Sequence, residues 1–203
     1  QFSPTSEVGK VTKSSPVGLI ARPFNPVSVA LGAEATFVAR THDLDRSHMQ
    51  ETFRRAHEHP GAAFVEVLQN CNVFNDGAFA AITKRDAREE MLIDLRHGEP
   101  ILFGSDRQYG VIGLDGAVAI AEVAEVGLEA VLIHDETRSD PSRAFALSRL
   151  AETPTTPTPI GVFRAVEHEE YGTGIRGQVD DVQSHEGLGD LDELLHSLPT
   201  WEV

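Results

Sequence analysis

Apolar and polar positions along the chain follow two distinct periods. Residues 36–39 and residues 62–68 are short, nearly continuous apolar runs built on Phe37-Val38-Ala39 and Phe64-Val65-Glu66-Val67-Leu68, the pattern of strands buried on both faces. Between them, residues 43–59 carry Met49, Phe53 and Ala56 at i, i+4 and i+7, which predicts a helix with that stripe inward. Ser47 and Gln50 have the spacing of a capping box, and Pro60-Gly61 ends the segment. Strand, helix, strand at this spacing is a βαβ unit, whose two strands run parallel through a right-handed crossover. The loop after Leu68 then lies at the carboxyl edge of the sheet, where open α/β folds bind their ligands. Cys71 lies in that loop.

The remaining pattern predicts further elements. Residues 1–16 read as a polar loop, and Asn25-Pro26 as a helix start, with Asn at the N-cap and Pro at the first helical position. Residues 80–95 are charged and helix-prone. Residues 109–112 suggest a strand or hairpin arm, residues 117–125 fit strand or helix, residues 131–133 a strand, and residues 141–150 a helix. Pro154, Pro157 and Pro159 mark residues 151–159 as a stiff linker or surface segment. Residues 172–189 read as disordered, followed by a short amphipathic helix carrying Leu188, Leu191, Leu194, Leu195 and Leu198, with Trp201 beyond. The expectation is an α/β domain over residues 1–150, a parallel sheet flanked by helices, then an irregular acidic tail over residues 151–203.

Charge narrows the function classes. The net charge is −15, which excludes sequence-independent nucleic-acid binding through a basic face. The excess is uneven: residues 167–203 hold ten Asp/Glu and Arg176 as the one base, whereas residues 1–60 are near balance. No apolar run approaches a membrane span or a signal segment. A single cysteine excludes an internal disulfide and suits a reducing, cytoplasmic setting.

Several side chains invite a chemical role. A lone cysteine is by default an inert small hydrophobe, but Cys71 sits in a polar post-strand loop, the setting of a ligand or a reactive thiol. Gln1, Ser3, Thr5 and Ser6 offer amide, hydroxyl and backbone donors to a phosphate, although Ser-Pro-Thr-Ser read alone is a turn. Lys10 and Lys13 are point charges suited to a carboxylate or phosphate. Asn75 and Asp76 suit Asx-type bonds that orient the cysteine loop. His42, His48, His57 and His59 are read as a solvated helix face, His134-Asp135-Glu136 as loop chemistry at a strand end, and no zinc site is expected because no closed ligand spacing occurs.

At these residues the chain resembles the β subunit of the 2-oxoacid:ferredoxin oxidoreductases, and looks nearest to the 2-oxoglutarate (2-oxoglutarate synthase) branch. The resemblance covers about the first 140 residues. It is carried by Gln1-Phe2-Ser3-Pro4-Thr5-Ser6, Gly9-Lys10-Val11-Thr12-Lys13, residues 35–40, and above all Phe64-Val65-Glu66-Val67-Leu68-Gln69-Asn70-Cys71-Asn72-Val73-Phe74-Asn75-Asp76. It implies a fold of the thiamine-diphosphate-binding type. It also implies thiamine diphosphate with Mg²⁺, a [4Fe–4S] cluster, an α-subunit partner, ferredoxin as electron acceptor, and a 2-oxo acid with coenzyme A as substrates. On this resemblance Cys71 is the last cluster ligand, Gln1, Ser3, Thr5 and Ser6 face the cofactor, and Lys10 and Lys13 face the substrate. The family's other cluster cysteines and its Gly-Asp-Gly motif are absent, so the resemblance implies a carboxyl-terminal portion of such a subunit, inactive alone. The alternatives are a sibling enzyme for pyruvate or branched 2-oxo acids, or a non-catalytic assembly fragment.

Overall fold

The computed structural model describes residues 3–85, 87–151 and 156–197. They form two compact units, Gln1–Glu167 and His168–Val203.

The first unit is organised by a four-stranded sheet of order β2-β1-β7-β3, with β1 Phe37–His42, β2 Ala63–Leu68, β3 Leu92–Leu95 and β7 Thr158–Ala165. The expected βαβ unit is present. β1 and β2 pair in parallel from Phe37 opposite Ala63 to His42 opposite Leu68, and α2 Arg46–Glu58 connects them. β3 and β7 are also parallel to each other, but β1 meets β7 antiparallel. The sheet is therefore two parallel pairs joined back to back, mostly parallel with helices on its faces. Alternate residues of each strand serve opposite faces. Val38 and Phe163 join Val27 and Leu31 of α1 Pro26–Gly32 and Leu147 of α6 Ser142–Ser148 in the main core, whereas Phe37, Ala39 and Val162 pack with Ala56 under α2.

Local chemistry explains the helix starts. Asn25 caps α1 as expected, its side chain accepting from Ser28 N at 3.0 Å while its amide donates to Ser148 O at 2.9 Å. The cap of α2 is Asp45 and not Ser47: Asp45 accepts from the His48 N–H, and the Ser47 hydroxyl is spent on the same carboxylate. The inward face of α2 is also more polar than its spacing predicts. Phe53 is 46% exposed, and the contacts to the sheet side are made by His48 on Thr41, buried Thr52, Arg55 on Glu136 and His59 on Thr36.

Three expectations are corrected. The helix-prone stretch 80–95 divides into α3 Ala80–Thr83, α4 Arg88–Met91 and β3, because Leu92, Ile93 and Leu95 are drawn into the sheet core. The hairpin arm is real: β5 Tyr109–Leu114 pairs with β6 Ala117–Glu122 beside β4 Leu102–Phe103, and α5 Val123–Val126 follows. Residues 131–133, however, make only isolated bridges, Ile112 to Val131 and Pro100 to Ile133. The largest difference concerns the proline-rich stretch, of which residues 152–155 lie outside the described residues. Thr158 onward is not linker but the buried inner strand β7. Proline is tolerated there because the β1 ladder reaches only to Gly161, so no carbonyl of β1 waits for a donor from Pro159. Gly161 itself has φ +99°, and a Cβ would lie 2.7 Å from Leu95 O, so only glycine lets β3 approach.

In the second unit, the stretch read as disordered is the 16-residue helix α7 Tyr171–Glu186. α8 Leu191–His196 is the expected short helix, capped by Asp190. Leu198 and Trp201 lie outside the described residues. No helix among the described residues is long and apolar enough to cross a membrane.

Candidate functional site

Cys71 lies directly beyond the carboxyl end of β2, in a turn closed by a bridge to Asn75, whose N–H donates to Cys71 O at 2.9 Å. Its thiol is free and partly exposed. The backbone N–H groups of Phe74 and Val73 hold the thiol's pKa below the ordinary value, with a smaller contribution from Asn75. Desolvation and the Asp76 carboxylate oppose them. A sulfur that receives several N–H bonds carries negative charge readily, which is what a metal-ligating thiolate requires.

Asn70 shapes this turn, and Asp43 anchors it. The Asn70 N–H donates to Asp43 Oδ2 at 3.1 Å, so the loop after β2 is tied to the loop after β1. The Asn70 side chain then closes the turn on itself, donating to Asn72 Oδ1 at 2.7 Å and Asp76 Oδ1 at 2.8 Å and accepting from the Gly77 N–H at 2.8 Å. The sequence reading expected Asx bonds from Asn75 and Asp76 and missed Asn70, although an amide directly before the cysteine was the available signal.

The N-terminal loop reaches the same place. Lys10 Nζ donates to Asn75 Oδ1 and approaches Glu7 Oε1 at 3.4 Å, with its side chain only 15% exposed. Lys13 lies elsewhere, exposed at the tip of the turn in which Thr12 and Ser15 bond each other. Ser3, Thr5 and Ser6 are together but turned on one another: Ser6 Oγ accepts from the Ser3 N–H at 2.9 Å, and the Ser3 hydroxyl lies 3.1 Å from that of Thr5 and 3.2 Å from that of Ser6. Ser6 is buried, so of these hydroxyls Ser3 and Thr5 remain exposed. Gln1 is outside the described residues. Thr5 lines a cleft of about 1060 Å³ with Arg22, Asn25, Arg40, Glu66 and Gln69 among its walls. Within it Arg40 Nε bonds Glu66 Oε2 at 2.6 Å, a pair the sequence reading also missed. Its signal was opposite charges at matched register on two apolar strands.

Beyond His48 and His59, which bond the sheet side, two histidines differ most from their expected setting. His42, read as part of a solvated face, is the last residue of β1 and wholly buried, and neither ring nitrogen has a hydrogen-bond partner among the described residues. His134 is also buried, its Nε2 donating to Val162 O at 2.7 Å while Nδ1 has no partner among the described residues. Desolvation is the chief cause that lowers the pKa of both below the ordinary 6.5. The sign follows directly. In the unfolded chain these imidazoles take up protons near pH 6.5, but in the folded chain only at lower pH, so the unfolded state binds more protons in that interval. Stability is full above the unfolded value and falls as pH drops below about 6.5. Urea midpoints measured from pH 7.5 down to 5.5 are expected to decline, with a shallower decline in His134→Asn.

Architecture and site together define an α/β fold with a partly exposed thiol just beyond the carboxyl end of an edge strand. Scanned against models of known protein families, the chain matches none. It is 47% identical over its whole length to 2-oxoglutarate oxidoreductase subunit KorB of Mycobacterium tuberculosis, of which it spans 55%. A 76-residue segment is 41% identical to the 2-oxoacid:ferredoxin oxidoreductase subunit beta of Saccharolobus solfataricus, covering 37% of this chain and 25% of that one. Its fold is shared, at a TM-score of 0.62 and 21% identity, with a 2-oxoglutarate:ferredoxin oxidoreductase from Magnetococcus marinus with 2-oxoglutarate, coenzyme A and succinyl-CoA bound. The match covers 98% of this chain and 53% of that one. Along its whole length the chain is similar to this mycobacterial oxidoreductase subunit, of which it spans about half, and in part to the β subunits of the 2-oxoacid:ferredoxin oxidoreductases.

Proposed function

We propose that this chain is the β-subunit portion of a cytoplasmic 2-oxoglutarate:ferredoxin oxidoreductase that works with an α subunit. The reaction is 2-oxoglutarate, coenzyme A and two oxidised ferredoxins giving succinyl-CoA, CO₂, two reduced ferredoxins and a proton. The observation that carries the reading is the 47% identity to the mycobacterial 2-oxoglutarate oxidoreductase subunit along the entire chain. The Cys71 loop supports it chemically: a partly exposed thiol with a lowered pKa fits one corner of an iron–sulfur cluster. A [4Fe–4S] cluster takes about four thiolates and the chain has one cysteine, so the other ligands come from outside it, and the isolated chain is inactive.

Thiamine diphosphate with Mg²⁺, when bound, supplies the carbanion chemistry that decarboxylates the 2-oxo acid. This chain's part is to bind and orient. In this reading Gln1, Ser3, Thr5 and Ser6 face the cofactor, Lys13 presents a charge toward the substrate's anionic groups, and Cys71 carries the electrons' exit. The Ser3, Thr5 and Ser6 hydroxyls satisfy one another, so any donor they offer to a diphosphate is shared with that network.

The test is a ferredoxin-linked assay on the assembled heteromer, comparing 2-oxoglutarate with pyruvate and a branched 2-oxo acid in the presence of coenzyme A. Faster turnover of 2-oxoglutarate, with succinyl-CoA as product, is expected. Turnover of pyruvate alone would reject the substrate, and equal activity in the heteromer's absence of this chain would reject the catalytic role.

A further inference from the structure

The middle of the Cys71 turn, Val73 and Phe74, has little packing to hold it. Val73 is 80% and Phe74 66% exposed, so neither side chain is fixed by packing. Their orientation depends on how the turn is pinned at its ends. One end is pinned through Asn70, whose N–H reaches Asp43 at the end of β1 and whose side chain closes the turn at Asp76 and Gly77. The other pin comes from 65 residues away, where the Lys10 ammonium donates to the Asn75 side chain. Asn75 is also the residue whose own N–H closes the turn onto Cys71 O. Lys10 sits in a loop braced by its carbonyl, which accepts from the Leu19 N–H at 3.0 Å, and by the Gly9 N–H, which donates to Leu19 O at 2.7 Å. The ammonium, largely shielded, thus divides its donors between Asn75 and Glu7, and is poorly placed to meet a free anion.

We propose that Lys10 is a positioning residue for Cys71, acting through Asn75 to hold the turn that carries the thiol, and is not a receptor for the substrate's anionic groups. Its bearing on electron transfer rests on the reading of Cys71 as a cluster ligand. Its bearing on the loop does not. N–H bonds to a ligating sulfur stabilise the reduced, more negative cluster, so loosening the turn lowers the cluster's reduction potential and slows electron exit without touching substrate affinity.

The experiment uses the assembled, cluster-loaded heteromer with Lys10→Met, Asn75→Ala and the double variant. Hydrogen exchange of residues 71–77 is expected to speed up by about fivefold in each, with β1 and β2 unchanged. The potential from an EPR-monitored redox titration should move negative, and kcat should fall roughly tenfold, while KM for 2-oxoglutarate and for coenzyme A stays within about twofold. The double variant should match the singles, since all three break one link. A KM raised about tenfold with loop exchange and potential unmoved would make Lys10 a substrate receptor and overturn the proposal, as would additive effects. Should Lys10→Met fail to assemble, Asn75→Ala alone decides by the same readouts. A Cys71→Ser enzyme that keeps its full iron content would remove the ligand reading, yet the exchange data would still decide what Lys10 does.

Discussion

Replacing Cys71 with serine is expected, on the proposed function, to abolish ferredoxin reduction by the assembled enzyme, a loss of at least about a hundredfold. The reason lies in what the turn is built to hold. The backbone N–H groups of Phe74, Val73 and Asn75 favour the charged form of the sulfur. A serine hydroxyl in the same place ionises far less readily and is a hard donor where a soft one is needed, so one corner of the proposed cluster would be left weakly bound. The side chain is partly exposed and contributes nothing to the hydrophobic clusters. The thermal unfolding midpoint of the apo subunit should therefore stay where it is. Iron and acid-labile sulfide determined on the purified heteromer, with the EPR spectrum of the reduced enzyme, check the result. Iron content and electron transfer equal to the parent's would show that Cys71 ligates nothing. A parallel loss of folding would show that the residue is structural.

How far the sequence led is best seen in β1, α2 and β2. Two apolar runs with a capped, periodic segment between them specify a parallel pair and its crossover, and that is enough to place Cys71 at the sheet edge. These signals are local, with each residue's role set by its neighbours within a turn or a strand. β7 shows the opposite case. Thr158, Pro159 and Gly161 carry loop composition, and the strand exists because β1 and β3 leave a gap that residues 158–165 fill. Tertiary context overrides propensity there, and no local pattern records it. The α7 helix was missed for a related reason: its glycines and its Asp180-Asp181 pair lower helix propensity, yet the segment still closes 16 residues of helix.

At the site, residue types were more legible than residue partners. Cys71, Lys10 and Asn75 all stood out, but the link from Lys10 to Asn75 joins distant segments and follows only from the folded loop. Asn70 carries more of the turn than the Asn75 and Asp76 that attracted notice, because its side chain bridges both ends of a turn whose closure no pairwise motif encodes. His42 was misplaced by a three-residue difference in where β1 ends. The run of apolar residues stops at Ala39, but the strand continues through Arg40, Thr41 and His42, all buried.

That polar end of β1 supplies the prediction with the largest effect on stability. Arg40 is 4% exposed in the middle of the sheet and Glu66 15% exposed beside it on β2. Arg40 Nε meets Glu66 Oε2 at 2.6 Å, Nη1 donates to Pro159 O at 3.2 Å, and the guanidinium lies 5.5 Å from the centre of the Phe163 ring. One side chain thus joins three strands, β1, β2 and β7. Desolvating two charges is costly, and only their mutual contact and the carbonyl bond offset it. Truncating Arg40 to methionine keeps much of the volume but strands the Glu66 carboxylate, for an expected loss of about 3 kcal/mol of stability, the lower end of what a broken buried pair costs because Glu66 retains some access to water. Glu66→Leu alone strands the guanidinium, which is more deeply buried, and should cost as much or more. The Arg40→Met, Glu66→Leu double variant replaces both charges by apolar groups of similar size and is expected to recover most of the loss. Urea denaturation of the four proteins, followed by far-ultraviolet circular dichroism, gives the coupling directly. Additive losses would mean that the two side chains act independently and that the contact between them does not organise the sheet. Recovery in the double variant would mean that the pair is replaceable as a stabiliser, so that its retention in the wall of the cleft must be explained by what the cleft binds.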